Sequence, residues 1–171
     1  LAELDLTPAN YNGAGQIVAA GALVALAALS AEAPRGTRVV PLQVAGAFHT
    51  RYMEPARAAL ATAVDELVAS GAVQDPTTTL WTNSDGTTVA SGNRALELLV
   101  GQVASPVRWD LCMQSFADSG ITGLVELTPG GTLVGLAKRA LRGVPAVAVK
   151  TPDDLSAAVA LLTDDAPKEN S

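Results

Sequence analysis

The segment ITGLVELTPGGTLVGLAKRALRGVPAVAV, residues 121–149, contains two apolar runs separated by a helical pattern. Residues 121–127 predict a strand, and the TPGG sequence at 128–131 predicts a tight turn. Apolar residues at helical spacing over 132–141 predict a helix, and the run 145–149 predicts a second strand. A strand–helix–strand unit of this kind is typical of α/β folds with a parallel sheet.

The same alternation of strands and helices extends through the rest of the chain. Residues 38–44 contain three valines and predict a buried strand. Pro55 and Gly71 mark the start and the end of a predicted helix. The other predicted elements are strands at 4–8, 16–20 and 77–82, a polar loop at 10–15, a turn at 83–86, a helix at 95–103, a helix capped by Ser105-Pro106, and a last helix opened by residues 151–154. This order predicts an α/β fold with a largely parallel sheet.

Composition narrows the class of protein. The 171 residues carry a net charge of −6 and are 49% hydrophobic, which excludes a disordered chain. An acidic chain is also a poor match for the phosphates of nucleic acids. With a single cysteine, an intrachain disulfide is impossible, and the protein is expected in the cytoplasm. The apolar run 17–29 is shorter than the roughly 20 residues that cross a bilayer, so we expect no membrane partner.

His49 is the strongest candidate for chemistry, because its side chain transfers protons near neutral pH without a large pKa shift. It follows a predicted buried strand, and sites collect at the carboxyl ends of parallel strands. The alternative is that a lone histidine in a loop is a surface or packing residue. The sequence has no Gly-x-Ser-x-Gly elbow, and Cys112 has the pattern of a core residue, so a nucleophile is missing.

Three further features each have a structural and a functional interpretation. Asn10 and Asn12 can orient a polar substrate or simply occupy a polar turn. The turn at 128–131 can present backbone N–H groups to an anion, or it can be a tight strand-to-helix connection. Glu126, on the strand before that turn, fits a buried, hydrogen-bonded structural acid.

Four segments resemble the malonyl-CoA:acyl-carrier-protein transacylase family, in the order in which the family has them. Residues 9–21 (ANYNGAGQIVAAG) look like its AN-x-N-x-x-GQ-x-V-x-x-G stretch, and residues 46–49 (GAFH) look like the motif around its catalytic histidine. Gln102 with residues 106–109 (PVRW) matches Q-x-x-x-P-V-x-W, and residues 126–133 resemble E-x-x-P-x-x-x-L. The matches extend over nearly the whole chain.

The resemblance implies the C-terminal part of an α/β-hydrolase-like acyltransferase core together with the tail of an inserted ferredoxin-like small lobe. On this interpretation residues 1–38 are the remainder of the small lobe. Residues 39–163 belong to the core, and residues 164–171 form a frayed tail. The family's serine elbow and the arginine that clamps the malonyl carboxylate are not in this sequence, so we expect a portion of a longer enzyme that is inactive alone.

The resemblance also implies roles for individual residues. His49 is the expected general base, oriented by the backbone carbonyl of Gln102, whose side chain is then expected to matter little. Phe48 is the residue expected to favour malonyl over methylmalonyl, because its ring leaves no room for an α-methyl branch. The remaining expected substrate-binding residues are Asn10, Asn12, Gln16 and Arg38, the last of them near the CoA phosphates.

The implied reaction is ping-pong transfer of malonyl from CoA to the phosphopantetheine thiol of acyl carrier protein in fatty acid biosynthesis. Malonyl-CoA is the substrate, and no cofactor or metal is expected. Two alternatives stay open: an acyltransferase domain of a polyketide synthase, and a non-catalytic remnant that binds CoA or the carrier. The charged end of the chain, without a linker or carrier domain, favours the stand-alone enzyme.

Overall fold

The computed structural model describes residues 1–163, and the predicted frayed tail at 164–171 lies outside that range. The strands are β1 (Thr7–Gly13), β2 (Gln16–Ala20), β3 (Val107–Arg108), β4 (Leu124–Glu126) and β5 (Ala146–Ala148). The α-helices are α1 (Leu23–Ala31), α2 (Glu54–Ala69), α3 (Gly92–Gln102), α4 (Trp109–Asp118), α5 (Thr132–Ala140) and α6 (Leu155–Leu162). Short 3-10 helices span Ala2–Leu4, Arg51–Met53 and Pro152–Asp154.

The chain divides into two compact units, one from Leu1 to Cys112 and a second that begins at Met113. The boundary expected at residue 38, between the ferredoxin-like lobe and the acyltransferase core, is not the boundary between these two units, and it stays a prediction. The mixed α/β class is confirmed. The predicted largely parallel sheet is replaced by two small sheets, of which the first is mixed and the second parallel.

In the first unit β1 is the central strand of the order β2-β1-β3, antiparallel to β2 and parallel to β3. The polar loop predicted at 10–15 is therefore wrong. Asn10 stands opposite Val18 on one side and Val107 on the other, so neighbouring strands occupy its backbone whatever the polarity of its side chain. The loop reduces to a tight turn at Ala14-Gly15, where both residues have positive φ.

The strand predicted at 38–44 is also wrong. The segment has no regular secondary structure, and the side chains of Val40, Leu42 and Val44 are 54%, 57% and 66% exposed. A strand needs a neighbouring backbone to pair with. Among residues 1–163, no strand pairs with this segment. Three valines thus favour an extended backbone here without supplying its partner.

The region between α2 and α4 is less regular than predicted. The expected strand at 77–82 is limited to one bridge between Trp81 and Thr88, whereas the turn at 83–86 is confirmed. Glycine is required in that turn because Gly86 has a φ of 76° and a Cβ there would lie 2.6 Å from the backbone of Leu111. The expected cap at Ser105 is wrong, since β3 intervenes and α4 begins at Trp109.

The second unit confirms the strand–helix–strand prediction. β4 and β5 are parallel, with Leu124 opposite Ala146, and α5 connects them along the chain. The buried face of α5 carries Val134, Leu136 and Ala137. The expected opening of the last helix is confirmed by a capping box between Thr151 and Asp154.

Candidate active site

His49 lies in an irregular loop that ends at the 3-10 helix Arg51–Met53. Its backbone has a φ of 61°, in the left-handed region that residues with a side chain rarely adopt. The residue is half-buried, so its ring has both a protein side and an open side. Strained backbone of this kind is concentrated at functional sites, where surrounding contacts hold it in place.

The imidazole of His49 is oriented by a backbone carbonyl. Its Nδ1 lies 2.8 Å from the carbonyl oxygen of Gln102, which is 53 residues away in sequence. A carbonyl oxygen only accepts hydrogen bonds, so Nδ1 must carry the proton in the neutral ring. The other nitrogen, Nε2, then holds a lone pair and is the atom that can accept a proton from a substrate or a nucleophile.

Gln102 is the last residue of α3, where helix carbonyls no longer have intrahelical partners. Its side chain is only 7% exposed, and its amide nitrogen donates to the carbonyls of Ser105 at 2.7 Å and Pro106 at 3.0 Å. These two bonds close the turn directly after the carbonyl that His49 uses. The side chain of Gln102 thus fastens the backbone that carries the acceptor. The expectation that this side chain matters little for function stays a prediction.

Thr50 is a buried polar residue of this loop that the sequence analysis missed. It is 0% exposed. Its hydroxyl donates to the carbonyl of Ala47 at 2.6 Å and accepts from the backbone N–H of Tyr52 at 3.3 Å. A threonine directly before a helical turn is a known N-cap signal, so the sequence did contain a clue to its role.

The other predicted substrate-binding residues lie in the same unit. Phe48 is 48% exposed and adjoins His49 in sequence, and Arg38 is exposed. Asn10 and Asn12 are half-buried on β1, and Gln16 is the first residue of β2. The structure joins Gln102 to His49 by a hydrogen bond; the binding roles of these five residues stay predictions.

In the second unit, the carboxylate of Glu126 occupies the N-terminus of α5. Its oxygens accept from the backbone N–H groups of Gly131 at 2.7 Å, Leu133 at 2.9 Å and Val134 at 2.9 Å. Burial raises the pKa of Glu126, but the three N–H donors and the charge of Lys150 outweigh it and lower the pKa overall. The prediction of a buried structural acid is confirmed. The turn at 128–131 is a strand-to-helix connection, and the carboxylate of Glu126 binds one backbone N–H group of this turn and two of α5.

Cys112 has the surroundings of a core residue, as predicted. Its side chain is 2% exposed and its thiol lies 3.5 Å from the carbonyl of Thr82. Burial, together with the negative charges of Asp110 and Asp85, raises the pKa of the thiol to about 11. A thiol of this kind is almost entirely protonated at neutral pH and is a poor nucleophile.

Residues 1–163 contain neither a cluster of metal-ligand side chains nor a membrane-spanning helix. No group of three or more His, Cys, Asp or Glu side chains is arranged to hold a metal ion. None of the helices in the same range combines the length and the apolar character needed to cross a bilayer.

Known proteins resemble this chain strongly, although no protein-family model matches it. The malonyl CoA-acyl carrier protein transacylase of Mycobacterium tuberculosis is 53% identical over 155 residues, which are 91% of this chain and 50% of that protein. The crystal structure of MCAT from Mycobacterium tuberculosis superimposes with a TM-score of 0.79 at 51% identity, covering 92% of this chain and 51% of the other.

A second solved structure is a malonyl-transacylase in complex with its type II PKS acyl-carrier protein. It matches with a TM-score of 0.76 at 28% identity over 93% of this chain and 50% of the other. The chain thus spans about half the length of the relatives it matches. By sequence and by fold, this chain belongs to the family of the malonyl-CoA:acyl-carrier-protein transacylases.

Proposed function

We propose that the protein transfers a malonyl group from CoA to the phosphopantetheine thiol of an acyl carrier protein in fatty acid biosynthesis. The observation that carries the proposal is the 2.8 Å contact between Nδ1 of His49 and the carbonyl of Gln102, which leaves Nε2 as a proton acceptor. Relatives at 53% identity named for this activity support the choice of substrate. The neighbour solved with an acyl-carrier protein supports the choice of partner.

In the proposed reaction the nucleophile is a serine in the half of the family that this chain does not span. Nε2 of His49 takes the serine proton as the oxygen attacks the malonyl thioester. The carbon–sulfur bond then breaks, the malonyl group stays on the serine, and His49 returns the proton to the CoA thiolate. In the second half Nε2 of His49 removes the proton of the carrier thiol, and the resulting thiolate attacks the malonyl ester. The ester carbon–oxygen bond then breaks, and His49 returns the proton to the serine oxygen.

The carbonyl of Gln102 has an electrostatic role in this scheme. When Nε2 takes up a proton the ring becomes an imidazolium, and the carbonyl dipole at Nδ1 stabilises the added charge. A carboxylate would stabilise it more strongly, but the carbonyl performs the same orientation without a buried charge. His49 and the carbonyl of Gln102 are thus the proposed catalytic pair of this chain.

The finer architecture is part of the proposal. We assign residues 1–38 to the remainder of a ferredoxin-like lobe and residues 39–163 to an α/β-hydrolase-like core, on the strength of the family resemblance. Phe48 would limit the acyl group to malonyl, and Arg38 would approach the CoA phosphates. Asn10, Asn12 and Gln16 would line the substrate path. We propose no metal or cofactor and a cytoplasmic location.

A chimaera tests the proposal directly. The 155 matched residues of the Mycobacterium tuberculosis relative are replaced by those of this chain, and malonyl transfer to a carrier protein is measured. The matched control is the same chimaera with His49→Ala. We expect the parent chimaera to exceed the control at least about 100-fold. Equal rates in two folded chimaeras would contradict the proposal and favour a non-catalytic binding remnant.

A gene-level observation provides a test that does not depend on the chimaera folding. The coding sequence upstream of the codon for Leu1 is determined and translated. The proposal requires a Gly-His-Ser-x-Gly segment there, followed in frame by this chain. An upstream reading frame that contains no such segment would refute the serine mechanism.

A further inference from the structure

We propose that Thr50 is a positioning residue that holds His49 in the tautomer and orientation needed for proton transfer. The inference rests on the proposed function of His49 as the base, and it extends that function to a residue with no assigned role. Thr50 and His49 are adjacent in sequence, and the hydroxyl of Thr50 bonds to the backbone on both sides of the histidine.

The backbone of His49 has a conformation that its residue type disfavours. The left-handed region brings the Cβ of an L-residue too close to the following carbonyl oxygen. At a φ of 61°, His49 therefore needs contacts that hold its loop closed. The hydroxyl of Thr50 supplies one of them, because its bond to the carbonyl of Ala47 closes the turn that contains His49.

The hydroxyl of Thr50 also bonds to the backbone that follows His49. Thr50 is the N-cap of the 3-10 helix Arg51–Met53, where it accepts from Tyr52 N–H, and its own carbonyl accepts from Met53 N–H at 2.9 Å. The turn that carries His49 is thereby fastened to the start of α2. A displacement of His49 would require at least one of these bonds to break.

Thr50 is fully buried. Because it is 0% exposed, solvent does not reach its hydroxyl, which donates to the carbonyl of Ala47. Loss of the hydroxyl leaves that carbonyl without its donor and releases the turn. Because Nδ1 of His49 keeps its proton only while it faces the carbonyl of Gln102, the released ring exchanges between its two tautomers.

The test uses two substitutions that separate the hydroxyl from packing. Thr50→Val keeps the volume and removes the hydroxyl, whereas Thr50→Ser keeps the hydroxyl and removes the methyl group. Because His49 is the single histidine of the 171-residue chain, ¹⁵N-labelled histidine gives one pair of ring-nitrogen signals for the full chain. Spectra are recorded at mildly alkaline pH, where imidazole is neutral.

We expect wild type and Thr50→Ser to show a protonated Nδ1 and an unprotonated Nε2, and Thr50→Val to show two averaged signals. Thermal unfolding of each variant confirms that the spectra come from folded protein. Wild-type-like signals in folded Thr50→Val would overturn the proposal. So would an Nε2-protonated ring in the wild-type chain, a result that needs no variant.

The kinetic arm uses the chimaera described above. Thr50→Val is expected to lower kcat at least about tenfold with KM for malonyl-CoA within about twofold, and Thr50→Ser to restore most of kcat. An equal change in KM and kcat, or no recovery in Thr50→Ser, would contradict a positioning role. If His49→Ala retains normal transfer, the proposed function fails, whereas the tautomer signals still decide whether Thr50 orients the ring.

Discussion

The loop of His49 and the N-terminus of α5 both hold an ionisable side chain against backbone groups. The α5 site occupies both oxygens of its carboxylate, whereas the His49 loop leaves one ring nitrogen available. Glu126 is 6% exposed and accepts three backbone N–H bonds. His49 is half-buried and uses one ring nitrogen for the carbonyl of Gln102. The same kinds of contact immobilise the carboxylate in one region and prepare a proton acceptor in the other.

The number of hydrogen-bonding atoms left available distinguishes a polar side chain with a structural role from one that can transfer a proton. A carboxylate whose oxygens are bonded within its own chain, with a lowered pKa, is held as an anion and has no part in proton transfer near neutral pH. An imidazole bonded at Nδ1 has its tautomer determined and its other nitrogen available. Substitutions at the two sites should therefore affect different observables.

The largest effect is expected at His49. In the chimaera, His49→Ala should lower kcat for malonyl transfer about 1000-fold, because the proton acceptor is lost, with little change in thermal stability. Steady-state kinetics and a thermal melt measure the two effects. Near-normal turnover would show that His49, like Glu126, has a structural role and is not the proton acceptor.

At Glu126 the expected effect is on stability. Glu126→Gln should lower the free energy of unfolding by about 3 kcal/mol, because an amide cannot replace a carboxylate that accepts three N–H bonds. Urea unfolding measures the change. The matched control is Glu97→Gln, at an exposed ion pair on α3 whose loss should cost less than about 1 kcal/mol.

The same variant has a pH signature. The folded-state pKa of Glu126 lies below its ordinary value of 4.5, so its stabilisation is complete above that value and is lost as the pH falls through the folded-state pKa. Wild type should therefore lose stability on acidification more steeply than Glu126→Gln. Parallel curves for the two proteins would show that the carboxylate charge contributes nothing.

Substitution of Gln102 should lower the free energy of unfolding by less than substitution of Glu126. Gln102→Met removes the two hydrogen bonds that the amide donates to the carbonyls of Ser105 and Pro106, at a cost of about 2 kcal/mol. Gln114→Met, at an exposed amide on α4, is the control and should change stability by less than about 0.5 kcal/mol. Equal unfolding curves for both variants would show that the bonds of the Gln102 side chain add no stability.

The smallest effect is expected at Phe48. Phe48→Ser in the chimaera should raise the ratio of methylmalonyl to malonyl transfer about tenfold, which corresponds to about 1.4 kcal/mol, because space opens beside the α-carbon. Competition between the two CoA substrates measures the ratio. Leu67→Ser on α2 is the control, and an unchanged ratio in Phe48→Ser would count against the steric explanation.

Local signals explain what could be predicted from sequence. The helix expected at 132–141 is found at Thr132–Ala140, because a glycine pair ends the strand and the following residues have helical spacing. The structural role of Glu126 follows from its place before that turn. These features depend on residues within about ten positions, so a single sequence contains them.

Contacts between distant segments explain the failures. The valines at 38–44 predict a buried strand, yet Val44 is 66% exposed because burial depends on what lies against a segment. His49 was identified as a candidate from its residue type and context. Its left-handed backbone depends on contacts made on folding, and it has no signature in the sequence pattern alone.

The positive φ of His49 has a consequence for how such a loop evolves. Glycine adopts that backbone freely, so on stability alone a population of sequences would drift toward glycine at position 49. Under the proposed role, selection for turnover keeps the histidine there against that drift. We therefore expect position 49 to change early in a gene that loses the proposed activity.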